Sequence, residues 1–242
     1  MLALKSNTTA QRCNAFGFYA LAANTTGNYN CAFGTWALDA NTTGTRNVAM
    51  GYAALTDSAS NDNTAIGHEA AQAITTGYSN TVLGSQALHS ATTDNQNTAI
   101  GFESLKNSTA DSTTAVGSKA LKANTSGAEN CAVGCNSLAA NTTASHGTAV
   151  GTNALAVNTD GEKNTAVGFN ALTANTGGDD NTAVGYQALV ANTTGYQNTA
   201  VGRVALATIT TAVNNTAVGR LSLIHISEPT RRYAICDGVI CV

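Results

Sequence analysis

Asn164-Thr165-Ala166-Val167-Gly168-Phe169-Asn170-Ala171-Leu172-Thr173-Ala174-Asn175-Thr176-Gly177-Gly178-Asp179-Asp180 runs directly into Asn181-Thr182-Ala183-Val184-Gly185-Tyr186-Gln187-Ala188-Leu189-Val190-Ala191-Asn192-Thr193-Thr194-Gly195-Tyr196-Gln197. The second stretch repeats the first with a few substitutions, and that repetition decides the fold. The glycine in the middle of the motif can be followed in both directions. It recurs at Gly17, Gly34, Gly51, Gly67, Gly84, Gly101, Gly117, Gly134, Gly151, Gly168, Gly185, Gly202 and Gly219. The spacing is 17 residues in ten of the twelve intervals and 16 in the other two.

The columns of this alignment have distinct characters. The residue before the marker glycine is always large and apolar, from Phe16, Phe33 and Met50 to Val218. Ala stands before that residue in twelve of thirteen copies, Val82 being the exception. Three residues after the glycine comes Ala or Ser, and then Leu in twelve of thirteen copies, with Ala71 the exception. Asn precedes the N-T-A-V glycine by four in ten of thirteen copies and recurs in the N-T-T turn at Asn24, Asn41, Asn124, Asn141, Asn158, Asn175 and Asn192.

Each unit offers two short segments, N-T-A-V and A-L-x-A-N-T, bounded by glycine or polar clusters. Both read as strands, and neither is long enough for a helix. One unit cannot bury its own Val and Leu, so units must stack in register, Val on Val and Leu on Leu. The expected fold is all-β: a parallel β-solenoid or β-roll of about thirteen coils over residues 1–223, roughly 60 Å long at about 4.8 Å per coil. Either a β-roll or a compact parallel β-helix suits the unit, in either hand. The marker glycine is expected at positive φ or at a close backbone approach. The two Asn columns are expected to form side-chain ladders and turns. With Val and Leu inside, alternation turns both Ala columns outward as flat apolar stripes. Burial of those stripes against other copies then predicts a homo-oligomer, a parallel trimer; a tight interior that takes Ala is the alternative.

Composition narrows function. Charged residues make up 10% of the 242, aromatics 5%, with one proline and a net charge of −3. That leaves no basic footprint for nucleic acid and no run long enough for membrane insertion. No catalytic, cofactor-binding or metal-binding residue set is expected. His68, His89 and His146 fall in different columns, read as far apart. Glu69 and Glu103 share a column two coils apart, suited to a glycosidase pair only by accident. Cys13, Cys31, Cys131 and Cys135 read as substituted repeat residues, with Cys13 and Cys31 able to approach each other. The exposed contact points are expected at Tyr19, Trp36, Tyr52, Phe102, Phe169, Tyr186, Arg203 and Arg220, several of them in the column after the glycine; solvation or packing between chains is the plainer reading. Sequons at Asn7, Asn24, Asn41, Asn107, Asn124, Asn141, Asn192 and Asn214 follow from the turn motif.

The unit N-T-A-[VI]-G-x-x-A-L-x-x-N-T-T-G resembles the repeats of phage tail-fibre proteins. It is also similar to the head repeats of YadA-like trimeric autotransporter adhesins, whose unit is shorter. The resemblance covers residues 1–223. It implies a left-handed β-roll, a homotrimer, an extracellular location on a virion tail fibre or bacterial surface, and attachment to a host glycan or receptor. A second class, ice binding by a Thr-rich solenoid face, is suggested by Thr three before the glycine in nine of thirteen copies. Against it, the paired threonines of the N-T-T turn are adjacent and point to opposite faces. Residues 224–242 leave the repeat. The stretch Ile224-His225-Ile226-Ser227-Glu228-Pro229-Thr230-Arg231-Arg232 resembles a translated sequencing-adapter read, and Met1 reads as an internal methionine of a longer chain.

Overall fold

The computed structural model describes residues 2–223 and the backbone of Ala234–Ile235. The chain divides into two compact units, Met1–Lys119 and Ala120–Val242. The first carries strands β1 (Asn14–Phe16), β2 (Cys31–Phe33), β3 (Val48–Met50), β4 (Thr64–Ile66), β5 (Thr81–Leu83), β6 (Thr98–Ile100) and β7 (Thr114–Val116). The second carries β8 (Cys131–Val133), β9 (Thr148–Val150), β10 (Thr165–Val167), β11 (Thr182–Val184), β12 (Thr199–Val201), β13 (Thr216–Val218) and β14 (Ala234–Ile235). No helix occurs among the described residues. Within each unit every strand pairs in parallel with its successor, equivalent residues opposite one another, as in Thr165↔Thr182, Ala166↔Ala183 and Val167↔Val184. Each unit is therefore a β-solenoid whose coil is the sequence repeat. Beyond Leu223, Ala234 pairs with Ala217 and Ile235 with Val218; the rest of the tail lies outside the described residues.

The alternation runs opposite to the sequence expectation. In the strands Ala faces inward and the large apolar residue faces out: Ala32, Ala49 and Ala65 are buried, whereas Phe16, Phe33, Met50 and Val218 are 60%, 50%, 45% and 40% exposed. The reason is the asparagine at the head of each strand. Asn30, Asn47, Asn164 and Asn181 are buried, and with a period of two the Ala two residues on shares their face while Thr and Val take the other. The interior holds one Leu per coil, two Asn columns and two Ala columns. The Ala columns are thus core, and the expected outward Ala stripes do not exist.

The second half of the repeat is a succession of turns instead of a strand. Ala171 and Leu172 are adjacent yet both fully buried, which an extended strand cannot achieve. The Leu column solves this by adopting the left-handed region, with φ from 47° to 56° along the stack. The Asn170 and Asp180 columns are left-handed as well, at φ 55° in both residues. Each such residue costs about 1 kcal/mol in isolation. Stacking offsets that cost, because the turn donates to the next coil: the Leu155 N–H to the Ala171 carbonyl (3.0 Å) and the Leu172 N–H to the Ala188 carbonyl (3.0 Å).

Marker glycines have φ between 125° and 146°. A Cβ on Gly168 would lie 2.4 Å from the Gly185 carbonyl oxygen of the next coil, so both reasons for glycine apply. The Asn ladders form as expected. Asn175 Nδ2 donates to Asn158 Oδ1 (2.8 Å) and to the Gly178 carbonyl (3.0 Å), and Asn192 Nδ2 donates to Asn175 Oδ1 (2.9 Å). In the other column the Asn181 N–H donates to Asn164 Oδ1 (2.9 Å) while Asn164 Nδ2 reaches the Gly178 carbonyl (2.6 Å). Where the turn is one residue shorter, Ser58 and Ser60 replace Asn and Gly and bond each other at 2.8 Å.

Candidate functional site

With Ala inside, each strand presents Thr and a large apolar residue together on one outer face. In the second unit the rows are Thr148/Val150, Thr165/Val167, Thr182/Val184, Thr199/Val201 and Thr216/Val218, in register. In the first unit the row residues include Phe16, Phe33, Met50 and Leu83, all exposed, and the Phe16 and Phe33 rings stack at 4.9 Å. The face is regularly spaced and carries no charged residue in either strand column. The ice-binding objection concerns the N-T-T turn, where the Thr142 and Thr193 hydroxyls bond the carbonyls of Thr159 and Thr210 in the next coil (both 3.0 Å). It does not apply to the strands, where Thr and Val share a face.

The marker glycine turns the chain, so the column after it lies round a corner from the Val face. Trp36, Tyr52, Phe102, Phe169 and Tyr186 are exposed there or one residue beyond. Most are occupied with one another. Trp36 meets Tyr52 edge-on at 5.2 Å, Tyr52 stacks on His68 at 5.2 Å, and Phe169 stacks on Tyr186 at 5.4 Å. The Arg203 guanidinium lies over Tyr186 at 5.3 Å. Tyr19 packs edge-on against Phe18 at 4.5 Å, and Arg220 is exposed. These rings pack on one another along the stack of a single chain.

The histidines are not all far apart. His68 Nδ1 and His89 Nε2 lie 3.7 and 3.6 Å from the same Glu69 Oε2. One coil on, Gln86 Nε2 donates to Glu69 Oε2 (2.8 Å) and Gln86 Oε1 accepts from Lys106 Nζ (2.8 Å). Lys106 Nζ also donates to Glu103 Oε1 (2.7 Å). Glu69, Gln86 and Glu103 share one column, so Gln86 stands between the two carboxylates of the accidental glycosidase pair. Column-by-column reading misses this half-buried cluster, because His89 and Lys106 belong to a different column and the turn brings them across. His146 sits elsewhere, 3.4 Å from Glu129.

Among the described residues no group of three or more His, Cys, Asp or Glu is placed to hold a metal, and no helix is long and apolar enough to cross a membrane. Cys13 takes an asparagine's place inside the coil and its Sγ donates to the Gly27 carbonyl (3.1 Å), as Asn30 Nδ2 does to Gly44. Cys13, Cys31, Cys131 and Cys135 are unpaired; Cys236 and Cys241 lie outside the described residues. Of the sequon asparagines, Asn24, Asn41, Asn124, Asn141 and Asn192 are fully buried and closed to glycosylation in the folded chain, whereas Asn7, Asn107 and Asn214 are exposed.

One interior carboxyl stands out. Asp94 occupies the Gly178 column, buried, with Oδ2 unpartnered. Burial, and then the charge of Asp111, push its pKa up to about 7. Ala91 stands in the matching Asn column and vacates space the asparagine fills elsewhere. Asp39, also with a buried unpartnered oxygen, is raised by burial. On the surface, the Arg46 guanidinium bonds Asp62 through two contacts, 2.6 and 2.8 Å, and lowers its pKa.

No protein-family model matches the chain. No curated protein matches it significantly either.

Proposed function

We propose that this β-solenoid is a structural segment of an extracellular fibre or adhesin, on a virion tail or a bacterial surface, that assembles as a homotrimer and serves attachment to a host or other surface. The observation that carries this reading is the outward row of Phe, Met, Leu and Val on the parallel strands. A continuous apolar stripe of that kind is rare on a monomer and marks a surface meant to be covered. A second copy lying parallel and in register meets the same repeat at every coil, so identical chains suit one another all along the face. The repeat's resemblance to tail-fibre and trimeric adhesin sequences supports three copies. The low charge and the thirteenfold repeat support a structural role.

Sedimentation equilibrium tests the assembly. The chain is expected to sediment as a trimer, and a Val150→Lys, Val184→Lys double variant as a monomer, because two lysines per chain have to be desolvated at the centre of the interface. A native chain that stays monomeric across the concentration range refutes the trimer. The Thr-Val rows of the second unit favour one alternative, binding of the face to ice; measurable thermal hysteresis from the native chain separates the two.

A further inference from the structure

We propose that the first unit carries a slot for one neutral sugar ring, walled by His68 and Phe102, floored by Ser85 and rimmed by Glu69, Gln86 and Lys106. It deepens the attachment reading above, since a surface glycan would be its ligand in that setting.

The slot is a gap between two rings in the column after the marker glycine. Where successive coils carry rings after the marker glycine, the rings stack, as Tyr52 on His68 at 5.2 Å and Phe169 on Tyr186 at 5.4 Å. At Ser85 the ring is missing, while the coils on either side have His68 and Phe102. The order of the coils is fixed by the Gln86 N–H donating to the His68 carbonyl (2.9 Å) and the Glu103 N–H donating to the Ser85 carbonyl (3.1 Å). Two coil repeats put the walls about 10 Å apart. That is room for one saturated six-membered ring in contact with both, at about 4 Å on either side. A comparable gap at Thr35, between Phe18 and Tyr52, is closed by the neighbouring Trp36, whose indole reaches Tyr52 at 5.2 Å. The corresponding neighbour at Ser85 is Gln86, and its amide is held at the rim by Glu69 and Lys106.

The rim explains the choice of ligand. It offers carboxylate oxygens, an amide and an ammonium within one small area, the set that adjacent hydroxyls can bond as both donors and acceptors. Glu69 and Glu103 against Lys106 leave one net negative charge, which disfavours an anionic ligand. Ring walls suit the C–H faces of a sugar. The cluster is also a departure from the repeat. In the second unit the same columns hold Asn136, Asn153 and Asn170, and Ala139, Ala156 and Thr173, and those coils form without it. In a chain that is 10% charged, half-burying Glu69, His89, Glu103 and Lys106 is not needed for folding.

Saturation-transfer NMR on the native chain tests the slot, with D-glucose, D-galactose and N-acetyl-D-glucosamine as probes and adenosine as the flat-ring comparison. At least one sugar is expected to receive saturation, and Ser85→Phe is expected to abolish it by inserting the missing ring. That stack continues the pattern at Phe169–Tyr186, so the far-UV spectrum should be unchanged. Phe102→Ser removes a wall in a column that already holds Ser85 and Ser118, and decides the matter if Ser85→Phe fails to fold. Thr152→Phe, in the same column of the second unit, is expected to leave transfer intact. Transfer to adenosine alone, no transfer to any sugar, or transfer that survives both Ser85→Phe and Phe102→Ser overturns the proposal. Sedimentation on the same samples keeps the two readings apart: a trimer that binds no sugar sinks the slot alone, and a monomer that binds sugar sinks the assembly alone.

Discussion

Replacing Asn175 with Ala tests whether these coils are held by their polar interior as much as by their leucines. Asn175 is fully buried and takes part in three side-chain hydrogen bonds: two donated by Nδ2, to Asn158 Oδ1 and the Gly178 carbonyl, and one accepted by Oδ1 from Asn192. The losses are unequal. The Gly178 carbonyl keeps the bond from Asn164 (2.6 Å) and Asn192 Nδ2 keeps its bond to the Gly195 carbonyl (2.9 Å). Asn158 Oδ1 is left with no donor. One orphaned buried acceptor costs about 1–3 kcal/mol, and the two remaining bonds about 1 kcal/mol each, for a total of about 3–5 kcal/mol. Leu172→Ala removes the one large buried side chain in the same coil and should cost roughly 2–5 kcal/mol. The two losses are therefore expected to be comparable, although one residue is polar and the other is the core.

Urea titration followed by far-UV circular dichroism, at one fixed protein concentration, gives both numbers. A sharper result comes from Asn158→Ala with Asn175→Ala. Once Asn158 is gone there is no Oδ1 to orphan, so the double variant should lose about 1–2 kcal/mol less than the sum of the singles. Additive losses, or an Asn175→Ala loss under about 1 kcal/mol while Leu172→Ala loses several, would refute the ladder as a structural member. A fall in the slope of the transition would mean that coils unfold in groups, and the midpoints would then be compared within the affected group only.

Asp94→Asn should act only above mildly acidic pH. The native carboxyl, at about 7, holds its proton more tightly than the unfolded one at 3.8. Wild-type stability therefore falls as pH rises from 3.8 to 7 and stays reduced above that. The variant should melt higher at pH 8, by roughly 2 kcal/mol once the shift is discounted for the nearby surface, and level with wild type at pH 3.5; a gain equal at both pH values contradicts this origin. Val204→Asn should stabilise by about 1 kcal/mol, because Val204 sits at φ 61°, a poor conformation for a β-branched residue and a tolerated one for Asn. Thermal melting decides, and a lower midpoint rules out strain at Val204.

The glycine spacing contains the coil, the place of each strand and the in-register stacking, because a unit this short can bury nothing alone. The asparagine columns contain the ladders. Which way Val167 points was also there to be read: an inward Asn164 and a period of two put Ala166 inside and Val167 outside. Ranking residues by size reversed it, since Val looks like core and Ala like surface. Ala171 and Leu172 carried a second signal. Two adjacent columns that both reject polar side chains, apart from serine, cannot belong to an alternating strand, and the left-handed Leu172 is what reconciles them. The meeting of His68, His89 and Glu69, and of Gln86 with Lys106, was not legible. It depends on how a run of left-handed turn residues folds one column over another, and no periodicity encodes that.

The coils that carry the outer cluster are also those whose interior departs from the repeat. Between Asn41 and Asn124 the turn asparagine is replaced in succession by Ser58, Ile74, Ala91 and Ser108. The ladder stops where the replacement begins, and Asn41 Oδ1 is left buried with no donor. Each lone replacement inside a ladder would orphan one acceptor, whereas a block of four orphans only the one at its edge, so the substitutions are cheapest together. Within the block, Ile74 and Ala91 make the interior less polar, and the 16-residue coils at Gly51 and Gly101 shorten the turn at either end. The middle of the first unit thus gave up the most regular source of cohesion in the molecule over the same coils in which its surface acquired Glu69, Gln86, His89, Glu103 and Lys106. A segment selected only to lengthen a rod has no reason to pay both costs in one place, whereas a segment that also holds a ligand does.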